Sequence, residues 1–308
     1  ENRFLMENQY IVLEEQGLRD GLQTLTPLIP TAQKLDYINR LVNAGIKRIQ
    51  IVSFVHPKRV PQMADADAIC SRLNKQPGVL YSGLVLNVKG VERGIAAGLD
   101  HLACSISASD THSRKNTGLG LSEAKHSFRE MVQLAQSNHI KVRGGIQCAF
   151  GCRYEGAIAP DHILDMVDHH LDAGIDELAL ADSTGMGNPL QLGSLMEKIV
   201  ERVKDIPVIL HLHNTENKGY ANLYAALQAG VRIFDTAFGG LGGCPFIKGT
   251  TGNIATEDTV NMLHQMGYKT GISPEKVAVI SRETAQTLGY KLPGKLYQLI
   301  AKKDIKII

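Results

Sequence analysis

Eight times along this chain a short apolar run gives way to a helical pattern, at a spacing of roughly 25–45 residues. No other feature limits the possible folds so strongly. The runs are Tyr10–Leu13, Arg48–Val52, Leu80–Leu86, His101–Ile106, Lys141–Gln147, Glu177–Ala181, Val208–His213 and Arg232–Thr236. The helical period predicts helices over Ala32–Asn43, Ala64–Leu73, Gly90–Ala97, Ser122–Asn138, Pro160–Ala173, Leu190–Val203, Asn217–Ala229 and Ala255–Met266. Ala44-Gly45, Ala97-Gly98, Ala173-Gly174 and Ala229-Gly230 each precede a strand, where glycine can take the left-handed conformation that ends a helix. Strands joined through helices pair in parallel. Eight such units predict an α/β fold, a closed (β/α)8 TIM barrel over residues 1–272, with 273–308 as a C-terminal helical extension packed on it. The competing arrangement is an open doubly wound sheet, but no G-x-G-x-x-G follows the first run.

Composition enters by exclusion. A length of 308 residues fits one large barrel, and a net charge of +2 lacks the basic stripe that a nucleic-acid surface needs. No apolar stretch approaches the ~20 residues that span a bilayer. Glu1 to Gln9 contain no apolar core, so no signal peptide is expected. Cys70, Cys104, Cys148, Cys152 and Cys244 are scattered and odd in number, which predicts free thiols in a reducing compartment.

A barrel enzyme works at the carboxyl ends of its strands. There this chain places Arg19-Asp20-Gly21-Leu22-Gln23, then Ser53, then Asp182-Ser183-Thr184, then His211-Leu212-His213. After the last strand comes a glycine-rich run, Gly239 to Pro245, followed by Gly252-Asn253. Residues two apart on a strand share a face, so His211 and His213 can converge on one ion. With Asp20 and Asn253 from other strand ends they offer two nitrogens and two oxygens, a set suited to a divalent cation with positions open for substrate. Arg19 and Asp20 are adjacent and are expected to point apart, Asp20 to metal and Arg19 to a developing enolate oxygen. Asp182 is either an acid or base near the site or the cap of the helix that follows. Cys244 lies within the glycine run, where a thiol has little core to pack against and can reach the site. Cys148 and Cys152 read as structural.

These residues resemble the 3-hydroxy-3-methylglutaryl-CoA lyase family. The resemblance is carried by Gly17-Leu18-Arg19-Asp20-Gly21-Leu22-Gln23, Ser53-Phe54-Val55-His56-Pro57-Lys58, Val60-Pro61-Gln62-Met63 and Gly151-Cys152-Arg153-Tyr154-Glu155-Gly156. It continues in His211-Leu212-His213, the loop Gly240-Leu241-Gly242-Gly243-Cys244-Pro245 and Gly252-Asn253-Ile254-Ala255-Thr256-Glu257-Asp258, and covers about Val12 to Leu288. It implies a lyase that splits a 3-hydroxyacyl-CoA by retro-Claisen chemistry. Mg²⁺ or Mn²⁺ would be held by Asp20, His211, His213 and Asn253. Arg19, Cys244, His211 and Asp182 would be catalytic, with Gln23, Gln50 and Ser53 against substrate. The partner implied is a small-molecule acyl-CoA, with no nucleic acid and no membrane. A homo-oligomer, dimer or tetramer, in the cytoplasm or the mitochondrial matrix is expected. Two positions depart from the family pattern: Gln50 and Asn214 stand where it usually has Glu and Asp. The alternatives are a lyase for a related substrate such as citramalyl-CoA, a Claisen-condensing acyltransferase of the same superfamily, and a binding scaffold on a decayed barrel.

Overall fold

Each apolar run becomes a strand in the computed structural model, which describes residues 9–242 and 252–300. The strands are β1 (Val12–Glu15), β2 (Arg48–Ser53), β3 (Leu80–Val85), β4 (His101–Ser107), β5 (Lys141–Gln147), β6 (Glu177–Asp182), β7 (Val208–Leu212) and β8 (Ile233–Thr236). They pair in chain order, all parallel, and β8 closes on β1 to complete the barrel. Helices α1 (Thr31–Asn43), α2 (Ala66–Arg72) and α3 (Val88–Ala96) follow the first three strands, with α4 (Asp110–Thr117) and α5 (Leu121–Ser137) after β4. Then come α6 (Pro160–Asp172), α7 (Pro189–Val203), α8 (Gly219–Gln228) and α9 (Thr256–Gln265). The added segment supplies α10 (Pro274–Leu288), which lies against α1 and α9. Gly45, Gly98, Gly174 and Gly230 all have positive φ at the helix ends where the sequence places them.

Two elements differ from the sequence reading, each for a physical reason. β1 runs over Val12–Glu15 instead of Tyr10–Leu13, because Glu14 and Glu15 are fully buried strand residues that an apolar pattern cannot see. α4 is an extra helix made of Asp-Thr-His-Ser-Arg-Lys-Asn-Thr. It has no apolar stripe and is held at its ends instead: Ser109 Oγ accepts from His112 N, and Gly118 closes it at φ 86°.

A TIM barrel interior is usually filled by branched apolar side chains. This one carries a charged layer. Arg48 binds both oxygens of Glu177 at 2.7 and 2.6 Å and also Glu14 at 2.8 Å. Glu14 takes a bond from Ser82 at 3.1 Å and pairs with Arg143 at 3.2 Å. Arg143 in turn forks onto Asp235 at 3.0 and 2.5 Å. Above this layer the wall is small (Ala103, Ser105, Gly145, Ala179, Ala181), which leaves a cavity of about 250 Å³ open toward the carboxyl ends of the strands.

Candidate active site

After β1 the chain turns through the wide π-helical turn Gly17–Gly21. A side chain at position 17 has no room, since a Cβ there would lie 2.4 Å from the Phe238 ring. This turn corrects the expectation that Arg19 and Asp20 diverge. On a helical turn neighbours do not oppose each other as they do on a strand, and Arg19 Nη1 donates to Asp20 Oδ1 at 2.6 Å. Arg19 Nε donates to Gln50 Oε1 at 2.6 Å and Nη2 to Gln16 Oε1 at 3.0 Å. Gln23 Nε2 also donates to Asp20 Oδ1, at 2.9 Å.

Gln50 and Ser53 are three apart, and on a regular strand they would face opposite ways. The register of β2 on β3 shifts between Gln50 and Val52. A bulge of this kind re-aims side chains, and both residues border the cavity. Ser53 Oγ is buried with no partner among the described residues.

At the end of β7 the two imidazoles meet, His211 Nε2 lying 3.1 Å from His213 Nε2. Asp20 Oδ2 is 3.5 Å from His213 Nε2 and 3.9 Å from His211 Nε2. These buried ligand atoms all lie within 4.8 Å of one another. Asn253 forms a bridge with His213, and its Nδ2 donates to Asp20 Oδ2 at 2.7 Å and to Leu241 O at 3.0 Å. Its Oδ1 is buried without a partner; a half-turn of the amide exchanges the two atoms. Gly242 permits this closeness at φ 110°, since a Cβ there would lie 2.6 Å from Asn253 Nδ2. Burial opposes ionisation of Asp20, yet Arg19 and the two imidazoles hold its carboxyl well below the usual carboxylate range. Burial also lowers the pKa of His211, against the raising effect of Asp235 and Asp20. A carboxylate, two imidazoles and an orphaned amide oxygen are donors that fit a divalent cation.

Asp182 ends β6 but does not border the cavity, and neither does Asn253. Asp182 Oδ2 accepts from Gly187 N at 3.1 Å, and Oδ1 is buried without a partner. Burial raises its pKa, against the bond from Gly187 and the nearby His213. The cap of α7 is Asn188, whose side chain accepts from Gln191 N, so the capping alternative for Asp182 does not hold. Cys244 lies outside the described residues. Cys148 and Cys152 are buried free thiols; burial pushes Cys148 up to about 12, and Cys152 Sγ bonds Ser109 Oγ at 3.0 Å.

The sequence reading missed Asp235, Arg143, His112 and Asn116, which all border the cavity. Asp235 Oδ2 lies 2.9 Å from His211 Nδ1. A lone acid in the strand run Ile233–Thr236 was the available signal. His112 and Asn116, one turn apart on α4, carried none, because α4 itself has no apolar pattern.

Among the described residues no helix is long and apolar enough to cross a membrane. The HMGL-like family model matches residues 11–283. The chain is 36% identical over 289 residues to the hydroxymethylglutaryl-CoA lyase YngG of Bacillus subtilis (strain 168), covering 94% of this chain and 97% of that protein. It is 39% identical over 294 residues to the (R)-citramalyl-CoA lyase of Chloroflexus aurantiacus, covering 92% and 93%. A solved HMG-CoA lyase structure from Acinetobacter baumannii, in complex with coenzyme A and 3-methylmalate, superposes with a TM-score of 0.92 at 36% identity over 98% of both chains. With this match along nearly the whole barrel, the chain belongs to the HMGL-like family and is a carbon–carbon lyase.

Proposed function

We propose that the protein cleaves 3-hydroxy-3-methylglutaryl-CoA to acetyl-CoA and acetoacetate. The observation that carries this reading is the buried Asp20–His211–His213 set beside Arg19 on one cavity. Asp20, His211, His213 and, by its Oδ1, Asn253 would hold Mg²⁺ or Mn²⁺. A divalent cation there supplies Lewis acidity that lowers the pKa of the substrate's C3 hydroxyl. Once that hydroxyl's proton has passed to Asp182, the C2–C3 bond breaks, C3 becomes a ketone, and the electron pair moves onto the thioester as an enolate. Arg19, permanently charged and braced by Gln16, Asp20 and Gln50, faces that enolate oxygen. Cys244 would return a proton to C2 and complete acetyl-CoA. Gln23 and Ser53 bind substrate polar groups, Ser53 through its unpartnered hydroxyl. Asp182 takes part in proton transfer from behind His213, since it has no face on the cavity. The acyl-CoA partner agrees with the coenzyme A in the Acinetobacter neighbour's complex. We further propose a cytoplasmic homo-oligomer, and residues 273–308 as an extension of the barrel.

The second reading is a citramalyl-CoA lyase, favoured by the Chloroflexus relative and by Gln50. As a neutral amide Gln50 still accepts from Arg19 but adds no negative charge. The deciding experiment assays acetyl-CoA release from both thioesters with Mg²⁺ and Mn²⁺. A higher kcat/KM on 3-hydroxy-3-methylglutaryl-CoA supports the first reading. If citramalyl-CoA is preferred and Gln50→Glu shifts that preference, the second replaces it. Cys244→Ser is expected to lower kcat by about 10²–10⁴-fold and to leave metal binding intact; near-full kcat would remove Cys244 from the mechanism.

A further inference from the structure

The buried acid that closes β8 has no part in the chemistry above. Asp235 is fully buried at the boundary between the charged layer and the cavity. Side chains from two other strands converge on its carboxylate. From β5, Arg143 donates to both oxygens, at 3.0 and 2.5 Å. From β7, the His211 ring presents Nδ1 to Oδ2 at 2.9 Å. Arg143 is itself held by Glu14, which Arg48 and Ser82 fix from below.

Simple donor counting then settles the imidazole. Arg143 always carries its protons and keeps Asp235 ionised, so both carboxylate oxygens can only accept. The facing atom, His211 Nδ1, must therefore carry hydrogen. In a ring with a single proton, that leaves the lone pair on Nε2. That nitrogen is the one aimed at His213 Nε2 and toward Asp20. We infer that Asp235, clamped by Arg143, is a positioning residue that locks His211 as the Nδ1–H tautomer and so dedicates Nε2 to ligation. The consequence for ligation rests on the metal reading of the Asp20–His211–His213 set; the tautomer itself does not.

Asp235→Ala separates these statements. It leaves His211 Nδ1 with no acceptor, so the ring is no longer held in one tautomer. Mn²⁺ affinity, read by titration calorimetry, should fall by about 10–100-fold, the scale seen when an outer partner of a metal-bound histidine is lost. A folded Asp235→Ala that binds Mn²⁺ as tightly as wild type overturns the inference. To keep the test independent of that variant's folding, the metal-free wild type is also measured by long-range ¹H–¹⁵N correlation, with His211 assigned by comparison with His211→Gln. A ring protonated at Nδ1 supports the inference, and one protonated at Nε2 overturns it. If the wild type binds no Mn²⁺, the metal reading fails on its own, and the spectrum still decides the tautomer.

Discussion

In the middle of the barrel Arg48 and Arg143 meet Glu14, Glu177 and Asp235; at the mouth Arg19 meets Asp20. Both regions hold charge away from water, where an unpaired group is costly. The middle layer meets that cost internally for its acids and arginines, although His101 Nδ1 is buried without a partner among the described residues. Arg48 and Arg143 each touch two acids, and His101 reaches Glu177 at 3.2 Å. Burial opposes ionisation of Glu177, but Arg48 and His101 hold its pKa far below the usual range. The mouth is unfinished. Ser53 Oγ, His213 Nδ1 and Asn253 Oδ1 are buried there with no partner among the described residues. The two regions differ in what they are for: a network whose acids are each paired with a cation within the protein rigidifies, whereas polar atoms left over at a cavity can receive a ligand.

The comparison breaks most sharply at His213. His213→Ala should lower Mn²⁺ affinity by more than 100-fold, beyond the scale of an outer partner, and abolish turnover. It should change unfolding free energy by only about 1 kcal/mol, because the side chain borders a cavity instead of supporting the core. Metal content and denaturant unfolding of the one variant test both halves; unchanged occupancy removes His213 from the ligand set. Arg48→Met should do the reverse. It strands Glu14 and Glu177 and should cost about 3–5 kcal/mol, with Mn²⁺ affinity near that of wild type. Equal stability of Arg48→Met and wild type in urea would show that the layer does not brace the barrel.

A carboxyl outside both regions sharpens the contrast. Glu15 is fully buried with no cation beside it among the described residues, accepting from Gly17 N, Phe238 N and Thr256 Oγ1 at 2.6, 3.0 and 2.6 Å. Burial raises its pKa to about 7, against those bonds. The folded protein therefore holds a proton here that the unfolded chain has released. The associated stability is fully present below the unfolded value near 4.5 and is lost as pH rises through about 7. Glu15→Gln mimics the protonated form, its oxygen serving the two amides and its nitrogen Thr256. Relative to wild type it should gain up to about 3 kcal/mol between pH 4.5 and pH 7. Unfolding free energies of the two proteins across that window should diverge; parallel curves would mean that Glu15 stays ionised in the fold.

The barrel was legible because it is written in local periods. An apolar run of strand length, a helical stripe and a closing glycine each act over a few residues, and eight repetitions leave one closed solution. His-x-His was legible for the same reason: two residues apart on a strand means one face. Asp20 and Asn253 could be nominated from their place at strand ends. Everything that depends on which strands face each other needed the closed barrel. Glu14 and Glu15 interrupt an apolar pattern and look like a strand's end until Arg48, Arg143 and Thr256 are brought to them from other parts of the chain. The bulge in β2, which turns Gln50 and Ser53 to one side, is a pairing error relative to β3 and exists only in the pair. Arg19 and Asp20 meet because a π-helical turn replaces the extended chain assumed for them. Asp235 is one acid in an ordinary strand until β5 supplies Arg143 and β7 supplies His211. Periodicity is a property of neighbours along the chain, so sequence alone determined the strands, the helices and their order. Protonation and partnership are properties of neighbours in space, and these only the closing of β8 onto β1 decided.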